Sequence, residues 1–136
     1  MLARMDASQA IADLTEISPQ VRSVAVIAAD GSVTGSNTSP EEAGRLADGA
    51  RRLVETAEDV RSAHGLGPVA QLEAATTAGS VFVVRDGDRL IAATTTPEPT
   101  VGLVFYDLKT CLRAVVDDAP KPRRRAPRKK TDDAAP

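Results

Sequence analysis

The chain has 136 residues, 42% of them hydrophobic, enough for one globular domain and little more. Only Phe82, Phe105 and Tyr106 are aromatic, so the core must be closely packed Val, Leu, Ile and Ala and a base-stacking platform is disfavoured; the lone Cys111 excludes an internal disulfide. The net charge of −2 conceals a division, because residues 1–118 hold 17 acidic and 10 basic side chains whereas residues 119–136 hold 2 acidic and 7 basic ones.

The segment from Met1 to Asp6 lacks the apolar run of a signal peptide, and no stretch approaches the roughly 20 apolar residues of a membrane span. A cytoplasmic location is the expectation. Asp6 is placed to cap a first helix, with Gln9 three residues on and Ala7, Ala10, Ile11, Leu14 and Ile17 along one face, ending at Ser18-Pro19. Val21 to Ala29 is β-branched and apolar at consecutive positions. Asp30-Gly31 then turns it into a shorter strand around Ser32 to Gly35, a strong hairpin sign.

Ser39, Pro40, Glu41 and Glu42 mark the start of a long amphipathic helix, and Gly65 is placed to close it. Its apolar stripe has two rows. Leu46, Leu53 and Val60 recur every seven residues and are large enough to fill a core; Ala43, Ala47, Ala50 and Ala57 are small enough to let another backbone come close. At about 100° per residue the stripe spans on the order of 140°, somewhat more than one sheet face need bury. That suggests a second packing partner; the competing reading is a broad stripe under one sheet, with Ala chosen for helix propensity.

Leu66-Gly67-Pro68 leads to a strand from Val69 to Thr76 in which Ala70, Leu72 and Ala74 alternate with Gln71 and Glu73, so part of it belongs at an edge or an interface. Val81 to Arg85 and Arg89 to Thr94 flank Asp86-Gly87-Asp88 as another short hairpin. After Pro97 and Pro99, Thr100 can cap a last helix with Val101, Val104, Phe105, Leu108, Cys111, Leu112 and Val115 on its buried stripe. A strand start over Val101 to Tyr106 is the competing reading. From Ala119 the Pro, Lys and Arg composition has nothing to bury and reads as a disordered tail, which sets the domain at 1–118 and the tail at 119–136.

Strands apolar at consecutive positions must be covered on both faces, while tight Asp-Gly connections allow only antiparallel pairing. The expected fold is therefore α/β, an antiparallel sheet of about five strands with helices on both faces, in the order α-β-β-α-β-β-β-α.

That order, with Val24 to Gly31, Glu42 to Val54, His64 to Gly67, Gly79 to Val84 and Val101 to Val104, resembles the roadblock/dynein light-chain family over about residues 5–117. The branch it is similar to consists of small bacterial partners of Ras-like GTPases. The resemblance implies a two-fold homodimer in which the strand after the long helix pairs across the axis and the long helices lie side by side. Ala43, Ala47, Ala50 and Ala57 would then sit against the second copy, and Ala70, Leu72 and Ala74 on the joining edge. It also implies a non-enzymatic regulator or scaffold that binds a Ras-like small GTPase, influences its nucleotide cycle or position, and needs no cofactor.

Residues that carry chemistry are few. His64, the only histidine, falls at the end of the long helix, where the dipole favours positive charge. Cys111 lies on an apolar stripe with no histidine in sequence reach to activate it. There is no Gly-x-x-x-x-Gly-Lys-Ser/Thr phosphate loop, and the hydroxyls of Thr76 to Ser80 and Thr94 to Thr96 read as turns and strand ends. Asp30, Asp86 and Asp88 belong to turn chemistry rather than to a metal or acid/base pair. The polar face of the long helix, Arg45, Asp48, Arg52, Glu55 and Asp59, is the candidate partner-binding surface; a merely solvated face would look the same. Lys121, Arg123, Arg124, Arg125, Arg128, Lys129 and Lys130 offer a basic run to an anionic membrane, a nucleic acid or the acidic body itself, or serve only solubility. Outside the resemblance, a small-molecule-binding sensory domain and a tail-driven adaptor remain alternatives.

Overall fold

Local capping sets the helix boundaries. In the computed structural model, which describes residues 5–116, the Asp6 carboxylate accepts the Gln9 N–H at 2.8 Å and starts α1, Ala7–Ile17. The Ser39 hydroxyl accepts the Glu42 N–H at 3.2 Å and starts α2, Pro40–Ala63, with proline in its first turn. Gly65, left-handed at φ 68°, follows its end. The third helix, α3, runs Val101–Ala114; the Val104 N–H bonds to the Thr100 carbonyl at 3.0 Å, so helix and not strand opens this segment. Thr100 occupies the N-cap position, but its side chain does not cap: its own N–H bonds instead to the Gln20 side chain.

Between the helices run β1, Val21–Ile27; β2, Val33–Ser36; β3, Gln71–Thr76; β4, Gly79–Asp86; and β5, Arg89–Thr95. All neighbours are antiparallel in one sheet ordered β2-β1-β5-β4-β3, which leaves β2 and β3 at the edges. β1 ends two residues earlier than its composition predicts. The turn already begins at Ala28, whose carbonyl takes the Gly31 N–H, while Asp30 accepts both the N–H and the hydroxyl of Ser32. Those bonds, the hydroxyl first, hold the Asp30 carboxyl below the usual carboxylate range. β3 starts at Gln71 rather than Val69, because the Val69 N–H is taken at 2.9 Å by the Glu58 carboxylate of α2.

Alternation along the central strands feeds two cores. Val24 and Val26 of β1, Phe82 and Val84 of β4 and Ile91 and Ala93 of β5 face α1 and α3, joining Ile11, Leu14, Val104, Leu108 and Leu112. Ile27, Val83, Leu90 and Ala92 face α2, joining Ala47, Ala50 and Val54. Continuous apolarity in these strands is thus the signature of a sheet covered on both faces.

Two helix stripes depart from expectation. Ile17, at the last turn of α1, overhangs the sheet and is 66% exposed. On α2 the rows exchange roles: Ala43, Ala47 and Ala50 are fully buried under the chain's own sheet, whereas Leu53 is 36% and Val60 57% exposed. The helix lies on a surface that includes Ile27, Val83, Leu90 and Ala92, against which the small row lets the backbones approach, and the longer row is displaced to the flank.

Two polar contacts join distant segments. The Asn37 side chain accepts the Val24 N–H and donates to the Arg22 carbonyl, both at 2.8 Å, continuing the β1 ladder where β2 has ended. Arg89 donates to the Val115 and Leu112 carbonyls at 2.8 and 3.1 Å and bonds Asp86 at 3.3 Å, covering the negative end of α3. Beyond α3, Val115 leaves the helical stripe and bridges in parallel to Met5.

Candidate interaction surface

Arg45, Asp48, Arg52, Glu55 and Asp59 are all exposed on α2. At about 100° per residue they form a stripe of roughly 80°, directly opposite the buried Ala47, Ala50 and Val54. Its internal pairs are solvated: Arg52 to Asp48 at 3.1 Å and Arg45 to Glu42 at 3.8 Å. Exposed pairs of this kind contribute about 0–1 kcal/mol each, so the stripe is not there to hold the helix.

On the flank between that stripe and the sheet lie Leu46, Leu53 and Val60. Leu46 packs half-buried against the α2-facing core, as do Leu72 and Val81 of β3 and β4. Where the C-terminal half of α2 passes the start of β3, a cleft of about 580 Å³ is lined by Ala57, Val60, Ala70 and Leu72 among others. Of the residues expected at a dimer interface, Ala57, Ala70 and Leu72 therefore meet at one place, and Ala74 is half-buried further along β3 on the same face as Leu72. Ala43, Ala47 and Ala50 do not join them. They are sealed beneath α2, and that part of the expected interface is corrected to intramolecular packing.

β3 pairs with β4 in unbroken register from Gln71↔Val84 to Thr76↔Gly79, and its other side meets no strand among the described residues. Glu58 fixes α2 against this edge. Its carboxylate lies 2.7 Å from the Arg85 guanidinium of β4 while also accepting the Val69 N–H, so one partly buried anion ties helix, strand and connection together. Sequence reasoning missed this link, since Glu58 looks like one more charge on a helix rich in them.

The remaining candidates are structural. His64 bonds through Nδ1 to the Val60 carbonyl at 2.9 Å, capping the last turn. Burial pushes the Cys111 thiol up to about 12, helped by the charge of Asp13, which leaves it a packed group rather than a nucleophile. The Thr76 hydroxyl bonds the Gly79 carbonyl at 2.7 Å, and that of Thr95 accepts the Ser80 N–H at 3.2 Å, so both serve the hairpin backbone. Among the described residues no three His, Cys, Asp or Glu side chains cluster as metal ligands, and no helix is long and apolar enough to cross a membrane. The domain limit at 118 and the basic run between 121 and 130 lie outside the described residues.

No protein-family model matches the chain, and no curated protein matches it significantly. Solved structures do. A roadblock/LC7 domain from Streptomyces avermitilis superposes with a TM-score of 0.74 at 18% identity, over 81% of this chain and 94% of that one. An MglB described in a tetrameric arrangement gives 0.69 at 14% identity, over 83% and 90%. The gliding protein MglB of Thermus thermophilus gives 0.65 at 14% identity, over 83% and 91%. The chain has the roadblock fold.

Proposed function

We propose that the chain is a non-enzymatic homodimeric regulator or scaffold that binds a Ras-like small GTPase and modulates its nucleotide cycle or localisation. The observation that carries the reading is the coincidence of an open strand edge, β3, with a half-covered apolar flank, Leu53 and Val60, of which Val60 lines the cleft beside that edge. An open edge next to exposed Leu and Val invites pairing, and a two-fold axis at β3 would bury both at once, giving a sheet shared by two copies. The arrangement would bring two α2 helices side by side. Their outward stripes, Arg45 to Asp59, would then form one charged platform suited to a macromolecular partner, whose binding such charges steer. The likeness to MglB, one of whose structures is described as tetrameric, supports self-association, and the family resemblance supports the GTPase.

The test is the solution mass of the full chain by light scattering, alone and with a Ras-like GTPase loaded with GDP or a GTP analogue. The expected result is twice the chain mass, with a further gain in one nucleotide state. Val60→Asp should return the mass to that of one chain, because a carboxylate at this exposed position costs the monomer little but is desolvated in the dimer. A dimer unaffected by Val60→Asp would place the interface elsewhere. Arg45→Glu with Arg52→Glu should weaken GTPase binding by about tenfold or more, yet alter unfolding free energy by less than about 1 kcal/mol, since both side chains are exposed. Undiminished binding would remove the partner from this platform.

A further inference from the structure

α1 and α3 lie antiparallel on the sheet face away from α2: Met5, ahead of α1, bonds the Ala114 carbonyl, while Gln20, after α1, bonds the Thr100 N–H. Between them is a cleft of about 160 Å³ whose walls include Met5, Leu14, Ile17 and Cys111. Two charged residues, Asp107 and Asp13, interrupt this apolar lining. Asp107 is only 8% exposed and lines the cleft, yet makes no hydrogen bond or ion pair with any described residue. Its oxygens keep contact with solvent through the cleft, and a cation held beside them in this half-enclosed apolar setting would interact more strongly than at an open surface. Asp13, held by Gln9 at the rim, adds a second negative charge, and exposed Ile17 extends the apolar surface outward.

We propose that this cleft is the docking site of a cationic side chain from the chain's own C-terminal segment, residues 117–136, with Asp107 as its counter-charge. The volume suits a single side chain better than a larger ligand: drug-sized sites begin at about 300 Å³, whereas one alkyl stem ending in an ammonium or guanidinium suits 160 Å³. The chain also departs at the right place. Val116 is strapped to Met5, a residue of the cleft wall, by a bond of 2.9 Å, and Asp107 lies seven residues before Ala114, the last residue of α3, about 10 Å at 1.5 Å per residue. Five extended residues past Val116 reach about 17 Å, so the first tail cation, Lys121, already has the length, with Arg123 to Arg125 close behind. Charge is complementary, since seven of the last 18 residues are Lys or Arg while residues 1–118 carry an excess of acid. In the larger cleft at the hairpin ends, which Val116 also lines, Asp30 is held by Ser32 and Asp86 by Arg89, and Asp88 is exposed to solvent, where a charge pair is worth little. A tail docked here would neutralise the α1–α3 face and leave the α2 platform open.

The test is reciprocal and uses full chains at about 50 mM and about 500 mM NaCl, which bracket strong and weak screening. Asp107→Asn is read at the tail, where the amides of residues 119–125 should move to the positions they take in the wild type at high salt. A second variant, with all seven Lys and Arg residues after position 118 replaced by Gln, is read at the cleft. There the amides of Leu14, Ile17 and Cys111 should move as they do when salt is added to the wild type. If Asp107→Asn fails to fold, the tail variant decides alone, since it leaves the core untouched. Cleft amides identical in the wild type and the tail variant would overturn the proposal. So would cleft shifts that grow with protein concentration, because they would put another copy in the site.

Discussion

Phe82→Ala is expected to cost about 4 kcal/mol, a large part of the roughly 5–15 kcal/mol by which a domain of this kind is stable. Phe82 is the more deeply buried of the two phenylalanines, 0% exposed at the centre of β4, and meets the Phe105 ring edge-on with centroids 4.8 Å apart. Its other neighbours on that face are Val24, Val26, Val84, Ile91 and Ala93. Strand-borne β-branched side chains have little rotamer freedom and alanine cannot extend, so none of these strand neighbours can swing into the vacated space, and only a shift of Phe105 or of the α3 leucines could reduce it. The cavity should persist. Urea unfolding should show the midpoint falling by about a third or more with an unchanged slope. Phe82→Leu, which keeps most of the volume, should lose about 1.5 kcal/mol, and Tyr106→Ala, at an exposed position, less than about 0.5 kcal/mol. A loss below about 2 kcal/mol for Phe82→Ala would mean that α3 re-seats on the sheet and that the core is less rigid than its packing implies.

The elements legible in the sequence were those whose cause is local. Ser39-Pro40 with Glu42 gave the start of α2, and Asp30-Gly31 and Asp86-Gly87 gave the hairpins, because caps and turns are decided by residues within a few positions. Two-sided burial was legible as well, since consecutive apolar residues in β1 and β4 demand cover on both faces. Which row of α2 points inward was not. Periodicity finds the stripe but not its centre, and the choice between Ala47 and Leu53 is made by the surface beneath, where close approach favours alanine. The bonds of Glu58, Asn37 and Arg89 to distant backbone groups were equally hidden, as each spans 11 to 26 residues and leaves no spacing to detect. Asp107 was overlooked because it reads as the polar margin of a stripe; only its burial against α1 makes it unusual.

The candidate surface shows the same division. Ala57, Ala70 and Leu72 were found together because α2 and β3 are consecutive and joined by a short connection, so their facing ends must meet. Ala43, Ala47 and Ala50 were grouped with Ala57 by composition alone, and the crossing of the helix over the sheet separates them: Ala47 and Ala50 pack with Ile27, Leu90 and Ala92 of β1 and β5, whereas Ala57 lies at the cleft beside β3. The proposed interface therefore rests on the large row, Leu53 and Val60, rather than on the small one.

Gly79→Ala is expected to cost about 3 kcal/mol or more, and two independent terms make up that figure. Gly79 opens β4 at φ 143°, a backbone conformation that side-chain-bearing residues adopt only with strain, about 1–3 kcal/mol. A Cβ there would also run into the Thr95 carbonyl oxygen. That oxygen cannot easily retreat: it belongs to the backbone of β5, where Thr95 pairs with Val21 of β1 and its hydroxyl accepts the Ser80 N–H. Overpacking against such a neighbour adds about 1–3 kcal/mol. Gly87→Ala separates the terms, because Gly87 has φ 64° but open space around it, and should lose about 1 kcal/mol. Thermal unfolding should then place Gly79→Ala at least about 10 °C below the wild type and Gly87→Ala about 5 °C below it. Because the hairpin at Thr76↔Gly79 also sets the register of β3, Gly79→Ala should speed amide exchange along Leu72 to Ala75 and weaken self-association through that edge. Equal losses for the two variants would show that the Thr95 contact relaxes freely; unaltered self-association despite faster β3 exchange would take the joining edge away from β3.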